Sequence, residues 1–194
     1  MSSQNKDIIY TIYSNCNSVF TLKDIAMLTN ETDIISLSKR LDYYVKRGKI
    51  NRPRKGIYTK FNYSHEELGC KLYTPSYLSL EYILQKAGII FQYSEKLTYV
   101  SYLSRSVSVD NKIFSYRKIK GEIIVSTNGI IQNNNINIAT PERAFLDILY
   151  LNGETYFDSI NPLNKELVYK LLPIYNSKSL TKTVKKIFSN GEFE

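Results

Sequence analysis

Tryptophan is absent from this 194-residue chain, histidine occurs once and cysteine twice. Each scarcity excludes a class of function. Cys16 and Cys70 lie far apart, so they form neither a disulfide framework nor a CxxC metal pair. Two free thiols fit a reducing compartment. The lone histidine, His65, makes no His-based metal site and no Ser-His pair with an evident partner; it reads as an exposed linker residue. The eight glycines are isolated, which leaves no Walker or Rossmann phosphate loop. A GxSxG elbow and a kinase-type motif set are also missing. The carboxylates form no recognisable metal cluster, so the expectation is a non-enzyme with no catalytic residues, no metal and no cofactor. No apolar run approaches the roughly 20 residues a membrane helix needs. The opening MSSQNKDIIY lacks a charged region followed by an apolar one. A cytoplasmic protein with no membrane partner is therefore expected.

What is present is an apolar fraction of 43%, enough for a packed core, and a net charge of +8 that is unevenly placed. Between residues 39 and 60 stand Lys39, Arg40, Lys46, Arg47, Lys49, Arg52, Arg54, Lys55 and Lys60, against the single acid Asp42. The excess of that stretch equals the excess of the whole chain. Charge concentrated in this way is the electrostatic footprint of a polyanion-binding segment. The alternative is an ordinary solvated face.

The pattern around this stretch is more specific than its charge. Ile8, Ile9, Ile12 and Tyr13 form a helical stripe. Thr21 with Asp24 is an acidic capping box that starts a second helix, with Leu22, Ile25, Ala26 and Leu28 on its buried side. Thr29–Thr32 supplies a turn, and Thr32 or Asp33 caps a third helix. At about 100° per residue, Ile34, Leu37, Leu41, Tyr44 and Val45 of that helix share one apolar arc. Ser36, Lys39, Arg40, Tyr43, Lys46 and Arg47 cluster opposite. Cations for phosphate and guanine, with small polar groups for base edges, are what a recognition helix in a major groove requires. Gly48 ends the helix. Two short strands then follow, Lys49–Arg52 and Ile57–Lys60, around a turn holding Pro53 and Gly56. A basic hairpin after a recognition helix reads as a wing, whose tip (Arg52, Arg54, Lys55) lies on the DNA backbone or in the minor groove. The alternative is a small α+β domain that binds protein.

The expected fold class is thus α+β. Residues 1–63 form a winged helix-turn-helix, and residues 64–194 form a mixed α/β domain with antiparallel strands and helices. In the second domain a helix runs from a Ser76 cap to about Lys86, closed by Gly88. Strand-like runs are Leu97–Tyr102, Lys112–Ile119, Ile123–Ser126 and Ile130–Ile138, with Asp110-Asn111 and Asn128-Gly129 as hairpin-turn signals. Asn133, Asn134 and Asn135 read as a loop. Thr140, Pro141 and Glu142 make a strong helix start, and Arg143 and Asp147 pair on one face. Two more helices follow, about Lys165–Leu172 and Ser179–Phe188. The basic run Lys178, Lys182, Lys185, Lys186 reads as a solvated surface, with a second nucleic-acid contact as the alternative.

Three stretches give the chain a family likeness. They are the winged helix ending Arg54-Lys55-Gly56-Ile57-Tyr58, the run Pro75-Ser76-Tyr77-Leu78-Ser79-Leu80-Glu81, and Ala139-Thr140-Pro141-Glu142-Arg143-Ala144 with Leu146-Asp147-Ile148-Leu149-Tyr150 after it. The chain resembles the AbiEi antitoxins of bacterial abortive-infection toxin–antitoxin systems. The resemblance implies a transcriptional repressor that binds inverted repeats of double-stranded DNA in its own promoter. It also implies that the second domain counters a nucleotidyltransferase toxin, AbiEii, without a stable complex. A stand-alone winged-helix regulator with no toxin partner is the second possibility. A nucleic-acid-processing enzyme is the third, and the absence of a His, Cys or carboxylate cluster weighs against it.

Overall fold

Residues 7–133 and 136–190 are described by a computed structural model, and they divide after Leu72 into two units. The described chain is α+β, with nine α-helices, a three-stranded antiparallel sheet and a six-stranded mixed sheet. Of the three asparagines expected in a loop, Asn133 ends a strand instead, and Asn134 and Asn135 lie outside the described residues, as does most of the opening segment.

The first unit runs α1 (Ile8–Ser14), β1 (Val19–Thr21), α2 (Leu22–Thr29), α3 (Ile34–Lys46), β2 (Asn51–Arg54), β3 (Ile57–Thr59) and α4 (His65–Leu72). Local chemistry sets most of these boundaries. The Asp24 N–H donates to Thr21 Oγ1 at 3.1 Å while the Thr21 N–H donates to Asp24 Oδ2 at 2.8 Å, the expected reciprocal box at the start of α2. Of the two caps open for α3, Asp33 is the one used, its Oδ1 accepting from the N–H groups of Ile35 and Ser36. Gly48 follows α3 with a φ of +59°, a conformation glycine adopts without penalty. Ile8, Ile12, Phe20, Ile25, Leu37, Leu41, Ile50 and Tyr58 form the buried core, with Tyr44 and Val45 packed on its edge. Ile34, expected in the same arc, is 43% exposed at the first turn, where the helix leaves the core.

The sheet order is β1-β3-β2, antiparallel throughout. Pro53 lies inside β2 and not in the turn. It is tolerated because β2 is an edge strand whose pairing is already irregular between Asn51 and Arg54. The turn itself is Lys55-Gly56, Gly56 standing at φ +80°. His65 is no exposed linker residue. It opens α4, is half-buried, and its ring centroid lies 4.9 Å from that of Tyr63. Two residues on, the buried Glu67 accepts from the backbone N–H and hydroxyl of Ser18 at 2.9 and 2.5 Å, which binds α4 to the start of β1.

The second unit runs β4 (Ser76–Leu78), α5 (Glu81–Lys86), β5 (Leu97–Ser101), β6 (Arg105–Val109), β7 (Lys112–Lys118), α6 (Gly121–Ile124), β8 (Ile130–Asn133), β9 (Ile136–Ala139), α7 (Pro141–Asn152), α8 (Lys165–Leu171), a 3₁₀ turn (Leu172–Tyr175) and α9 (Lys178–Asn190). The strand order is β6-β7-β5-β4-β9-β8. The β4–β9 and β5–β7 pairs are parallel and the other pairs antiparallel, so the sheet is mixed and not simply antiparallel as expected. Ser76 caps no helix: it starts β4, a fully buried strand in the middle of the sheet. The run Ile123–Ser126 is not a strand, because α6 takes its first residues as a single helical turn. Asp110 and Asn111 form the β6–β7 hairpin turn, both at positive φ, as a two-residue hairpin needs. Asn128-Gly129 joins α6 to β8 and makes no hairpin. α7 starts as expected, with Thr140 accepting from the Arg143 N–H at 3.3 Å and Pro141 in the first turn.

Candidate nucleic-acid interface

The periodicity of α3 fixes which residues reach solvent. Leu37 and Leu41 are fully buried, and the opposite face carries Ser36, Lys39, Arg40, Tyr43, Lys46 and Arg47. Lys39, Tyr43, Lys46 and Arg47 are exposed, while Ser36 and Arg40 are half-buried. The Arg47 guanidinium carbon sits 5.4 Å from the centre of the Tyr43 ring, which meets Tyr44 edge-on at 5.8 Å. That contact holds an aromatic plane and a cation together on the helix surface. The β2–β3 hairpin follows immediately and exposes Arg52, Arg54 and Lys55 around its turn.

Some of these cations are engaged within the unit. Arg40 pairs with Glu31, from the turn between α2 and α3, and Arg52 pairs with Asp42 on α3. Both pairs retain solvent access, so exchanging a carboxylate for a phosphate costs little, on the order of 0–1 kcal/mol. Lys60 belongs to the basic stretch in sequence but not to this face; its Nζ donates to the Asn15 carbonyl at 2.6 Å. The structure therefore gathers the nine sequence-selected residues on one helix face and one hairpin. It adds a residue that sequence reasoning overlooked. Ile35 is 71% exposed on the cationic side of α3. The angular position of Ile35, opposite the apolar arc, was the signal that could have found it.

The other stretches behind the family likeness meet inside the second unit. Asp147 on α7 is fully buried and accepts from Tyr175 Oη at 2.7 Å, Ser79 Oγ at 2.8 Å and Tyr77 Oη at 3.1 Å. Arg143, one turn earlier and also fully buried, lies with its Nε 3.4 Å from Asp147 Oδ1. It donates to the carbonyls of Asn128 at 2.9 Å and Ile123 at 2.8 Å. The expected Arg143–Asp147 pair thus exists, but as the centre of a core network and not on an open face. Burial pushes the Tyr77 and Tyr175 hydroxyls well above the usual phenol range, with the Asp147 charge adding to it. Both phenols stay protonated and donate. Burial also raises the Asp147 carboxyl, against the lowering effects of Arg143 and the three hydroxyls. Among the described residues, no three His, Cys, Asp or Glu side chains gather as a metal site, and no helix is long and apolar enough to cross a membrane.

No protein-family model matches the chain, and no curated protein matches it.

Proposed function

We propose that the first unit is a winged helix-turn-helix that binds double-stranded DNA, with α3 as the recognition helix and the β2–β3 hairpin as the wing. One observation carries the reading: Lys39, Lys46, Arg47, Arg52, Arg54 and Lys55 are exposed on a single helix face and the hairpin next to it. The order of α1, β1, α2, α3 and a two-stranded hairpin supports it, because it presents one helix and one loop side by side to a duplex. Ser36, Lys39, Arg40 and Tyr43 reach base edges, while Lys46 and Arg47 hold phosphates with Arg52, Arg54 and Lys55 of the wing.

The protein acts, on this reading, as a transcriptional repressor of its own promoter. By its likeness to the AbiEi antitoxins, the second unit counters a nucleotidyltransferase toxin without a stable complex. Footprinting of the full chain on the DNA upstream of its own gene tests the first part. Protection of an inverted repeat is expected, and uniform or absent protection refutes autoregulation. One observation favours the second reading, a regulator with no toxin partner. The marker residues Tyr77, Ser79, Arg143 and Asp147 are all buried, so the likeness they carry is one of core architecture and not of an exposed surface. A nucleotidyltransferase gene beside this one separates the two.

A further inference from the structure

Among the residues of α3, Ile35 breaks the division between an apolar inner side and a polar outer side. It is 71% exposed, although the helix buries Leu37 and Leu41 completely. At about 100° per residue it lies roughly 40° from Lys39 and 20° from Lys46, and 120–160° from the two buried leucines. An isolated exposed isoleucine needs no explanation on an ordinary surface. This one stands at the second position of α3, one turn before Lys39. The first turn of a recognition helix is the part that reaches the floor of the groove.

The surroundings narrow what it can meet there. Asp33 occupies the start of the helix, and its carboxylate already accepts from the Ile35 and Ser36 N–H groups at 3.1 and 3.0 Å. A carboxylate at that point repels phosphate, so this end of α3 is unsuited to the DNA backbone. A branched hydrocarbon tip also cannot satisfy the donors and acceptors that line base edges. The major groove offers one apolar feature, the C5-methyl group of thymine. β-branching restricts the Ile35 χ1 within a helix, so the side chain is held ready at little entropic cost.

We infer that Ile35 reads a thymine methyl in the operator and makes that position a thymine-specific contact of α3. The inference rests on the DNA-binding reading above. The test uses the full chain and the duplex it enriches most from a random pool, made once with thymine and once with uracil at every thymine position. Uracil lacks only the methyl. Loss of one buried methyl-sized contact corresponds to about a fourfold weaker affinity. The wild-type protein should lose that factor on uracil DNA. Ile35→Ala should lose it on thymine DNA and lose nothing more on uracil DNA, while Ile35→Val keeps most of the preference. Equal melting temperatures of the three proteins establish that the fold is intact. If Ile35→Ala discriminates thymine from uracil as strongly as wild type while salt-sensitive binding persists, the Ile35 assignment is overturned and the DNA reading stands. If the pool yields no enriched sequence at all, both fall.

Discussion

Lys71 Nζ on α4 lies 2.9 Å from Asp24 Oδ2 on α2, so the carboxylate that completes the capping box also anchors the last helix of the first unit. Burial pushes the Asp24 carboxyl up, but the Thr21 N–H, the Lys71 hydrogen bond and the Lys71 charge outweigh it, and the net direction is down from 3.8. A carboxyl lowered in the folded state contributes stability that is complete above its unfolded value near 3.8 and is lost as the pH falls through the lower folded value. The protection factors of the α2 amides, corrected for the intrinsic pH dependence of exchange, should therefore fall on acidification below that point. In Asp24→Asn, α2 should open more readily at neutral pH already and show little of this further acid response. An unchanged acid response in that variant would assign it to another group.

The Arg143–Asp147 centre predicts an asymmetric mutational pattern. Asp147→Ala leaves Arg143 charged, fully buried and without its carboxylate, and should cost about 3–5 kcal/mol. Tyr175→Phe removes one of three hydroxyl donors to Asp147 and should cost about 1–3 kcal/mol. Chemical denaturation of the second unit's transition measures both. Equal costs would mean that the charge pair is not the dominant part of the network.

The elements legible in the sequence are those fixed by neighbours. The Thr21–Asp24 box, the Thr140-Pro141 helix start and the Asp110-Asn111 turn are each specified within four residues, and each stands where it was read. The α3 faces follow from its period and its burial pattern. The misreadings share a cause of the opposite kind. β4 is three residues long, buried and central; it exists because β5 and β9 flank it, and nothing within Ser76-Tyr77-Leu78 alternates. α6 is one turn whose apolar residues suit a strand equally well, and the Arg143 guanidinium takes the Ile123 carbonyl at its end. Tyr77 and Tyr175 are 70 and 28 residues from Asp147, so the network around it has no local signature.

Two glycines at positive φ should respond differently to alanine. Gly56 in the hairpin turn stands at φ +80° with open space where a Cβ would go, so Gly56→Ala costs only backbone strain, about 1–2 kcal/mol. Gly129 stands at φ +73°, and a Cβ there would lie 2.9 Å from Leu171 Cδ1 and 3.0 Å from Arg143 Cβ. Gly129→Ala adds overpacking, about 1–3 kcal/mol more, and displaces the loop whose Asn128 carbonyl Arg143 holds. Gly129→Ala should lower the melting of the second unit by more than Gly56→Ala lowers that of the first. The reverse order would contradict the packing around Arg143.

Phe145 on α7 is fully buried, its ring centroid 4.9 Å from that of Phe157 and 6.1 Å from that of Phe188. Phe145→Ala should destabilise the second unit by about 3–5 kcal/mol. Retained stability with a lost biological activity would make this helix a working surface.

On the proposed function, the charge layout predicts that DNA binding and toxin protection separate. Lys46 on α3 and Lys55 at the hairpin turn are both exposed. Removing Arg40 instead would uncover the Glu31 carboxylate and confound lost contact with added repulsion. If the interface engages about four phosphates, log affinity should fall against log salt with a slope of about −4, and Lys46→Ala with Lys55→Ala should reduce that slope by about 2. The double variant should release a reporter placed behind the native promoter. The second unit keeps its own buried network and owes nothing of it to these lysines. Cells carrying the double variant should therefore still survive induction of the toxin, if the second unit is what counters it. Joint loss of repression and survival, with melting unchanged, would show instead that protection works only through repression. The exposed Lys178, Lys182, Lys185 and Lys186 on α9 supply the control, since Lys186 already pairs with Glu154. Replacing Lys178, Lys182 and Lys185 should leave the salt slope unchanged if α9 faces solvent, and a reduced slope would place a second DNA contact there.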